Sequence, residues 1–526
     1  MKLKLVYVLA LAAAMTSITS CKDDDGPVIP GSSLTEKTYT SGNNGNFTLS
    51  VDGTSLQGKT ATFTPLSDSQ ANIKIETATK ADGEDWILPG VSTIDLTVEL
   101  LGDAKNCTFE GNQTTENCSY SYSGAVTPDN FVFNITDVTV KNVSLSYKQE
   151  NLVVTLNDTP ILGKTATFTP TSTNKATIAI AGETLNLESI MDLIPMMTKA
   201  NDPLGVPTAG VLPGTTDLII DVDLQGTPGN YTFQGSGETD FCTYSYAGAA
   251  TTSNFIFNLS SVKLKNTSLA GTWTIPSLKW INPDWGYEED NLYNVARVNW
   301  VAENGIDVGF GVPFPISTIV SMALALPLIS VGDEAVSPVV MLTNVLHSVT
   351  FAEDGTLTAR YVDTKTGETT DAPAGIAQYV ITSEGNIRLF LNPAAIIANS
   401  VMAAKGRSTR AIDVIQLVES LMQQIAPMLS GGVPITYGQA IADQDGNLNE
   451  DPNVKSFYLG TETLLPLLKA IAPIFTDEDL VNSLVEEASK DPNMGYMAGM
   501  LPNVLSALPG VIETTSVVEI GINLKK

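Results

Sequence analysis

The chain has 526 residues with 57 acidic against 28 basic side chains, a formal charge of −29, and a single histidine. This balance excludes a nucleic-acid partner, which needs clustered Lys and Arg to neutralise phosphates, and the lone His347 removes most Ser-His-Asp, Cys-His and multi-histidine metal chemistry. Apolar residues make up 43% and charged residues 16%, which excludes a disordered chain; at roughly 100–200 residues per domain, the length suggests about three domains. At the start, Lys2 and Lys4 precede an uncharged, mostly apolar run from Leu5 to Ile18, followed by Thr19, Ser20 and Cys21. A basic start, a short apolar stretch and small residues before a cut describe a secretory signal over residues 1–20. The run is shorter than the ~20 apolar residues that span a bilayer.

Ile18-Thr19-Ser20-Cys21 resembles the lipobox of bacterial lipoproteins. The resemblance implies that Cys21 carries acyl chains on its sulfur and becomes the new N-terminus. Each buried CH₂ then contributes roughly 0.8 kcal/mol to anchoring, so several chains hold stably. Lys22-Asp23-Asp24-Asp25-Gly26 resembles the acidic export tag of surface lipoproteins in the Bacteroidota, which implies an outer-membrane protein facing the cell exterior. Residues 21–37 read as an acidic, flexible tether.

Next come two internal repeats, assigned to residues 38–143 and 144–267. GKTATFTP occurs at Gly58–Pro65 and again at Gly163–Pro170. Ile87-Leu88-Pro89-Gly90 recurs as Val211-Leu212-Pro213-Gly214, and Asn130–Asn134 recurs as Asn254–Asn258. The second copy is longer, by an insertion around Leu185 to Gly210 that reads as a short amphipathic helix ended by Pro203. Within each copy apolar residues alternate with polar ones, as at Phe47, Leu49 and Val51 or Ile94, Leu96 and Val98. Period-two alternation marks strands with one buried and one wet face. About eight strands with hairpin-length turns fit an antiparallel barrel or sandwich. The parity shift between Ile135 and Val138 predicts a bulge near Thr136-Asp137. A hairpin turning at Asn112-Gln113 would set Cys107 opposite Cys118. The pair is either a disulfide, which exported proteins form, or two small buried hydrophobes. The second copy has Tyr231 and Cys242 at the same places, which leaves one cysteine without a partner.

Residues 268–526 differ. Leu269-Ala270-Gly271-Thr272-Trp273 resembles the Gly-x-Trp opening strand of lipocalin-like, or calycin, barrels. His347–Asp363 reads as a hairpin turning at Asp354-Gly355, and Ala377–Pro393 as another turning at Glu384-Gly385. Thr514–Lys525 reads as the closing strand. Helical spacing appears at Ile412–Leu429 and Leu464–Ile471, each broken at a proline, Pro427 or Pro473. The uncharged run Phe310–Ser330 is split by prolines and reads as a buried or ligand-facing helix pair. The expected fold is thus mainly β: two tandem β-barrel-like repeats, then a larger α+β lipocalin-like barrel with helical insertions. The whole is similar to the calycin-like surface lipoproteins of the Bacteroidota. That family implies no established activity.

Chemistry-bearing motifs are sparse. Asp443–Asn449 resembles a calcium loop but has Leu448 where glycine belongs and Val454 where glutamate belongs, so it reads as an acidic turn. Gly-x-Ser-x-Gly, P-loop and dinucleotide fingerprints are absent, and no cofactor is expected. The segment Lys279–Tyr293 interleaves Trp280, Trp285, Tyr287 and Tyr293 with Asp284, Glu288, Glu289 and Asp290. Aromatic faces stack on sugar rings while carboxylates accept hydroxyl hydrogen bonds; alternatively these rings plug a barrel end. The expected role is a non-catalytic binding or structural lipoprotein, its partners a membrane through the anchor and a glycan or hydrophobic small molecule. The rivals are a glycan hydrolase using two carboxylates and an adhesion scaffold without a small ligand. Apolar helices after Phe310, Ile412 and Leu464 would form either a lid over an apolar pocket or plain core.

Overall fold

The computed structural model describes residues 34–78, 86–103, 105–186, 205–206, 208–281, 286–309, 311–327, 329–331, 334–363, 367–395, 427–443, 446–476 and 495–526, with helical pieces between 481 and 489. The signal, Cys21, most of the tether and the helix expected near Leu185 to Gly210 lie outside these residues. So does nearly all of the helix expected at Ile412–Leu429. The protein is mainly β, with 53% strand and 17% helix. It divides into two compact units, one formed by residues 1–143 with 170–173 and 227–229, the other by the rest.

The first unit holds the first repeat. Its strands Lys37–Thr40, Lys59–Ser67, Gln70–Thr77 and Ile94–Glu99 form one sheet. Thr54–Leu56, Phe47–Val51, Phe131–Val140, Cys118–Val126, Asn106–Thr114 and Leu101–Asp103 form another. Lys37–Thr40 and Phe47–Val51 are two halves of one pass. The first half pairs antiparallel with Lys59–Ser67, and the second pairs parallel with Phe131–Val140. The all-antiparallel expectation is corrected here. An odd number of up-and-down passes returns to its start in the same direction, so the seam is parallel. Inside, Phe131 packs against Tyr39 at 5.4 Å, Phe47 at 5.3 Å and Phe109 at 5.9 Å between ring centroids. The expected bulge is present: pairing shifts between Thr136 and Thr139, and Asp137 takes φ 55°.

The second repeat has the same plan. Leu145–Lys148 pairs with Lys164–Ser172, and Leu152–Leu156 pairs parallel with Phe255–Leu264. Phe63 lies opposite Lys37, and Phe168 lies opposite Leu145 at the matching place. Tyr39 donates its hydroxyl to the Thr127 carbonyl, and Tyr147 donates to Thr251 likewise. Ser261 repeats the bulge with φ 52°. The two amphipathic sequences therefore specify one architecture twice. Lys59 and Lys164, at the head of GKTATFTP, are both buried.

The second unit also contains a closed, eight-stranded antiparallel barrel. Its strands follow chain order: Gly271–Thr274, Leu346–Phe351, Thr356–Val362, Ala377–Ser383, Asn386–Leu391, Val433–Gln439, Val454–Leu459 and Thr515–Lys525. Thr274 pairs with Lys525 and shuts it. Gly355 and Gly385 make the two expected turns with φ 85° and 77°. Such a barrel is wide enough for side chains to fill. Here Phe351 contacts Tyr379 at 4.9 Å and Phe457 at 5.4 Å, and Phe457 contacts Trp273 at 5.6 Å and Tyr437 at 5.8 Å. Trp273 donates its indole N–H to the Leu269 carbonyl at 2.8 Å.

Strand Ala296–Ala302 adds to the outer half of Thr515–Lys525 and makes a ribbon beside the barrel. Helices Ile316–Ala325, Thr461–Ile471 and Gly495–Glu513 cover it. They bury Trp300, Ile306, Ile316, Ile319, Met500, Val511 and Val518 in a core of their own. The apolar helices among the described residues are thus core rather than lid, because they spend their apolar faces on the ribbon and on one another. Helix Thr461–Ile471 gives way to a 3₁₀ turn at Ala472–Thr476, where Pro473 cannot continue the ladder. Among the described residues, no helix is long and apolar enough to cross a membrane.

Candidate functional site

Among the described residues of the aromatic segment, Tyr293 is set apart from Trp280 and Tyr287. Lys279–Ile281 and Glu288–Asp290 form a two-stranded hairpin with Trp280 opposite Glu289. Trp280 and Tyr287 are exposed, at 36% and 54%. Tyr293 instead packs against a small cluster of Leu278, Leu292, Val295 and Val339, its hydroxyl 3.2 Å from Ser321 Oγ. The start of a short helix at Leu292, capped by Asn291, turns it away. Asp284 and Trp285 lie outside the described residues.

Cys107 and Cys118 are free and buried. The hairpin turns between Thr114 and Ser119 rather than at Asn112-Gln113, so Cys107 faces Val126 while Cys118 pairs with Val140. The disulfide reading is corrected to the buried-hydrophobe one. Pairing is set by the whole inward pattern of Phe109, Tyr120 and Val126 and not by the two sulfurs. Burial pushes the Cys118 thiol up to about 11, which leaves it protonated and inert at neutral pH. His347 is exposed on its strand. The acidic turn is a bridge between Ile441 and Leu448 in which Asp443 accepts from the backbone and side-chain N–H of Asn447. Among the described residues, no group of three metal-ligating side chains converges.

Two features of the second unit went unseen in the sequence. Lys164 is 5% exposed, and among the described residues its ammonium has one polar partner, the Ala209 carbonyl at 2.8 Å. Burial pulls its pKa down to about 8. The cavity it lines, with Thr208, Gln378 and Asn392, measures about 10 Å³. That is room for about one water beside the ammonium.

The second feature is a cleft of about 200 Å³ lined by Gly214, Thr215, Thr216, Phe241, Val380, Thr382, Arg388, Phe390, Ser430 and Gly431. It lies where the second repeat meets the barrel's outer wall. Side chains alternate along Ala377–Ser383, so Tyr379 and Ile381 fill the barrel while Val380 and Thr382 face outward. Two glycines let the rings approach. A Cβ at Gly214, where φ is 81°, would stand 2.4 Å from Phe241; one at Gly432, where φ is 79°, would stand 2.8 Å from Phe390. Arg388 donates from Nη1 to the carbonyls of Gly431 at 2.8 Å and Gly432 at 3.2 Å. Its other N–H groups have no protein partner among the described residues, and none of the ion pairs there includes it. The described lining residues carry no carboxylate, thiol or imidazole. An arginine between strand hydrophobics at Ile387-Arg388-Leu389-Phe390 was the one sequence signal. The rest of the lining is scattered over more than two hundred positions. Compared with family models, with curated proteins and with solved structures, the chain has no match.

Proposed function

We propose that the chain is a lipid-anchored protein of the outer-membrane surface that binds carbohydrate without transforming it. The lipobox-like Ile18–Cys21 and the acidic residues after it support the address. The cleft supports the binding role: the partly buried Phe241 ring, backed by the buried Phe390, and the oxygens of three threonines and one serine surround a fixed guanidinium. Rings stack on the apolar face of a sugar while hydroxyls and N–H groups meet its oxygens. Two-carboxylate hydrolysis needs two acids at the reacting bond; the described lining carries none, and beside it Asp217, which accepts from the Thr216 hydroxyl, is a single carboxylate. The filled barrel favours sugar over lipid, since its interior is taken by Trp273, Phe351, Tyr379 and Phe457. A glycan array probed with detergent-solubilised full chain, with every hit then assayed for breakdown, tests the reading. Expected are discrete hits that stay intact. Turnover of a hit would favour the hydrolase, and a blank array would favour the scaffold.

A further inference from the structure

Resting on the carbohydrate-binding reading, we propose that the Arg388 cleft selects a sugar bearing a carboxylate, a uronate, and that Arg388 is the residue that selects it. The chain carries 57 acidic and 28 basic side chains, so carboxylates are plentiful partners for a cation. The half-buried Arg297, for example, is held by Glu519 at 2.7 Å. Arg388 lines a cleft without such a partner. Among the described residues it lacks a carboxylate, and its Nη1 is fixed by two backbone carbonyls. Those bonds orient the guanidinium plane and leave Nη2 and Nε to donate outward. A guanidinium edge with two parallel N–H donors matches a carboxylate in geometry and charge.

The surroundings narrow the ligand further. Phe241 offers an apolar face beside the buried Phe390, and the hydroxyl oxygens of Thr215, Thr216, Thr382 and Ser430, whose hydrogens go to Leu212, Asp217, Asn386 and Pro427, offer lone pairs to a ligand's own hydroxyls. A simple organic acid would use the cation and leave the rings and hydroxyls idle. A sugar ring uses all three. One cation in a chain of net charge −29 cannot balance a multiply charged phosphate. A single carboxylate per bound sugar is the matching charge.

The test is calorimetric titration of the full chain in a non-ionic detergent. The probes are a disaccharide with one terminal glucuronate and its methyl ester, which has the same rings without the charge. The acid should bind, and the ester should bind about tenfold to a hundredfold more weakly. Arg388→Ala should lose the difference between the two, and Arg388→Lys should recover part of it, since a point charge replaces a fork. Thr382→Trp, which fills the cleft, should abolish binding of both. Circular dichroism confirms that each variant is folded. Equal binding of acid and ester, or an Arg388→Ala protein that still prefers the acid, overturns the proposal and leaves carbohydrate binding standing. Acid binding that survives Thr382→Trp overturns the assignment to this cleft. A protein that binds neither probe, yet gives hits on neutral glycans in the array, overturns the uronate claim alone; one that binds no saccharide at all overturns both.

Discussion

Phe255→Ala should destabilise the second unit by about 3–5 kcal/mol, the usual cost of emptying a large aromatic site in a packed core. Phe255 is 1% exposed. Its ring meets Tyr147 at 5.1 Å, Phe233 at 5.8 Å, Phe168 at 6.2 Å and Phe257 at 6.4 Å. These rings come from both edges of the sheet, since Tyr147 belongs to the first half of the split pass. Removing Phe255 leaves a cavity at the seam that four stiff neighbours cannot fill. A multi-domain chain does not unfold in one step, so the effect is read by hydrogen exchange of individual strands. Protection of Cys242–Thr251 and Phe255–Leu264 should fall by two to three powers of ten, at about 1.4 kcal/mol per power. Phe131→Ala should do the same to the matching strands of the first unit. A loss below about 1 kcal/mol at Phe255 would mean that the ring cluster does not hold the seam.

Lys164→Met should stabilise the protein at neutral pH. Burial lowers the Lys164 pKa from the ordinary 10.5 to about 8. At pH 7 the amine is charged in both the folded and unfolded chain, so folding carries the full cost of desolvating it, roughly 3 kcal/mol at 1.36 kcal/mol per pK unit. The cost persists below pH 8 and is relieved between about 8 and 10.5, where only the unfolded chain keeps the proton. Methionine removes the cost and also strands the Ala209 carbonyl, which returns about 1–2 kcal/mol. The expected net gain is about 1–2 kcal/mol at pH 7, shrinking to nothing or reversing by pH 10. Denaturation of the local strands at several pH values, variant against wild type, measures it. A difference that does not change with pH would contradict the buried, charged amine.

The parts of the fold written in local pattern were legible. Repeated strings such as GKTATFTP announced the duplication, and Asp354-Gly355 and Glu384-Gly385 announced hairpins, because a turn needs glycine at its positive-φ position. The bulge at Asp137 was legible because alternation changes parity there. The parallel seam was not, since it depends on the number of passes and not on any one strand. The cysteine pairing failed for a related reason: spacing locates a turn only to within a few residues, and a shift of the turn moves every partner. Tyr293 was misplaced because a short helix at Leu292 interrupts the loop that the aromatic spacing implied. The cleft was hidden because Phe241, Arg388 and Ser430 meet only after the second repeat packs on the barrel wall. Their sequence neighbours read as ordinary strand and turn.

The proposed display of a sugar-binding protein by a lipid on Cys21 is most directly tested on whole cells. Cells making the wild-type chain are mixed with the strongest array ligand in fluorescent form, alongside cells making Cys21→Ser and cells lacking the chain. Wild-type cells should retain the ligand and incorporate labelled fatty acid into the chain. The Cys21→Ser cells should do neither and should fail to hold the protein at the surface. Retention by the Cys21→Ser cells equal to wild type, or wild-type retention no higher than in cells lacking the chain, would contradict the proposed display.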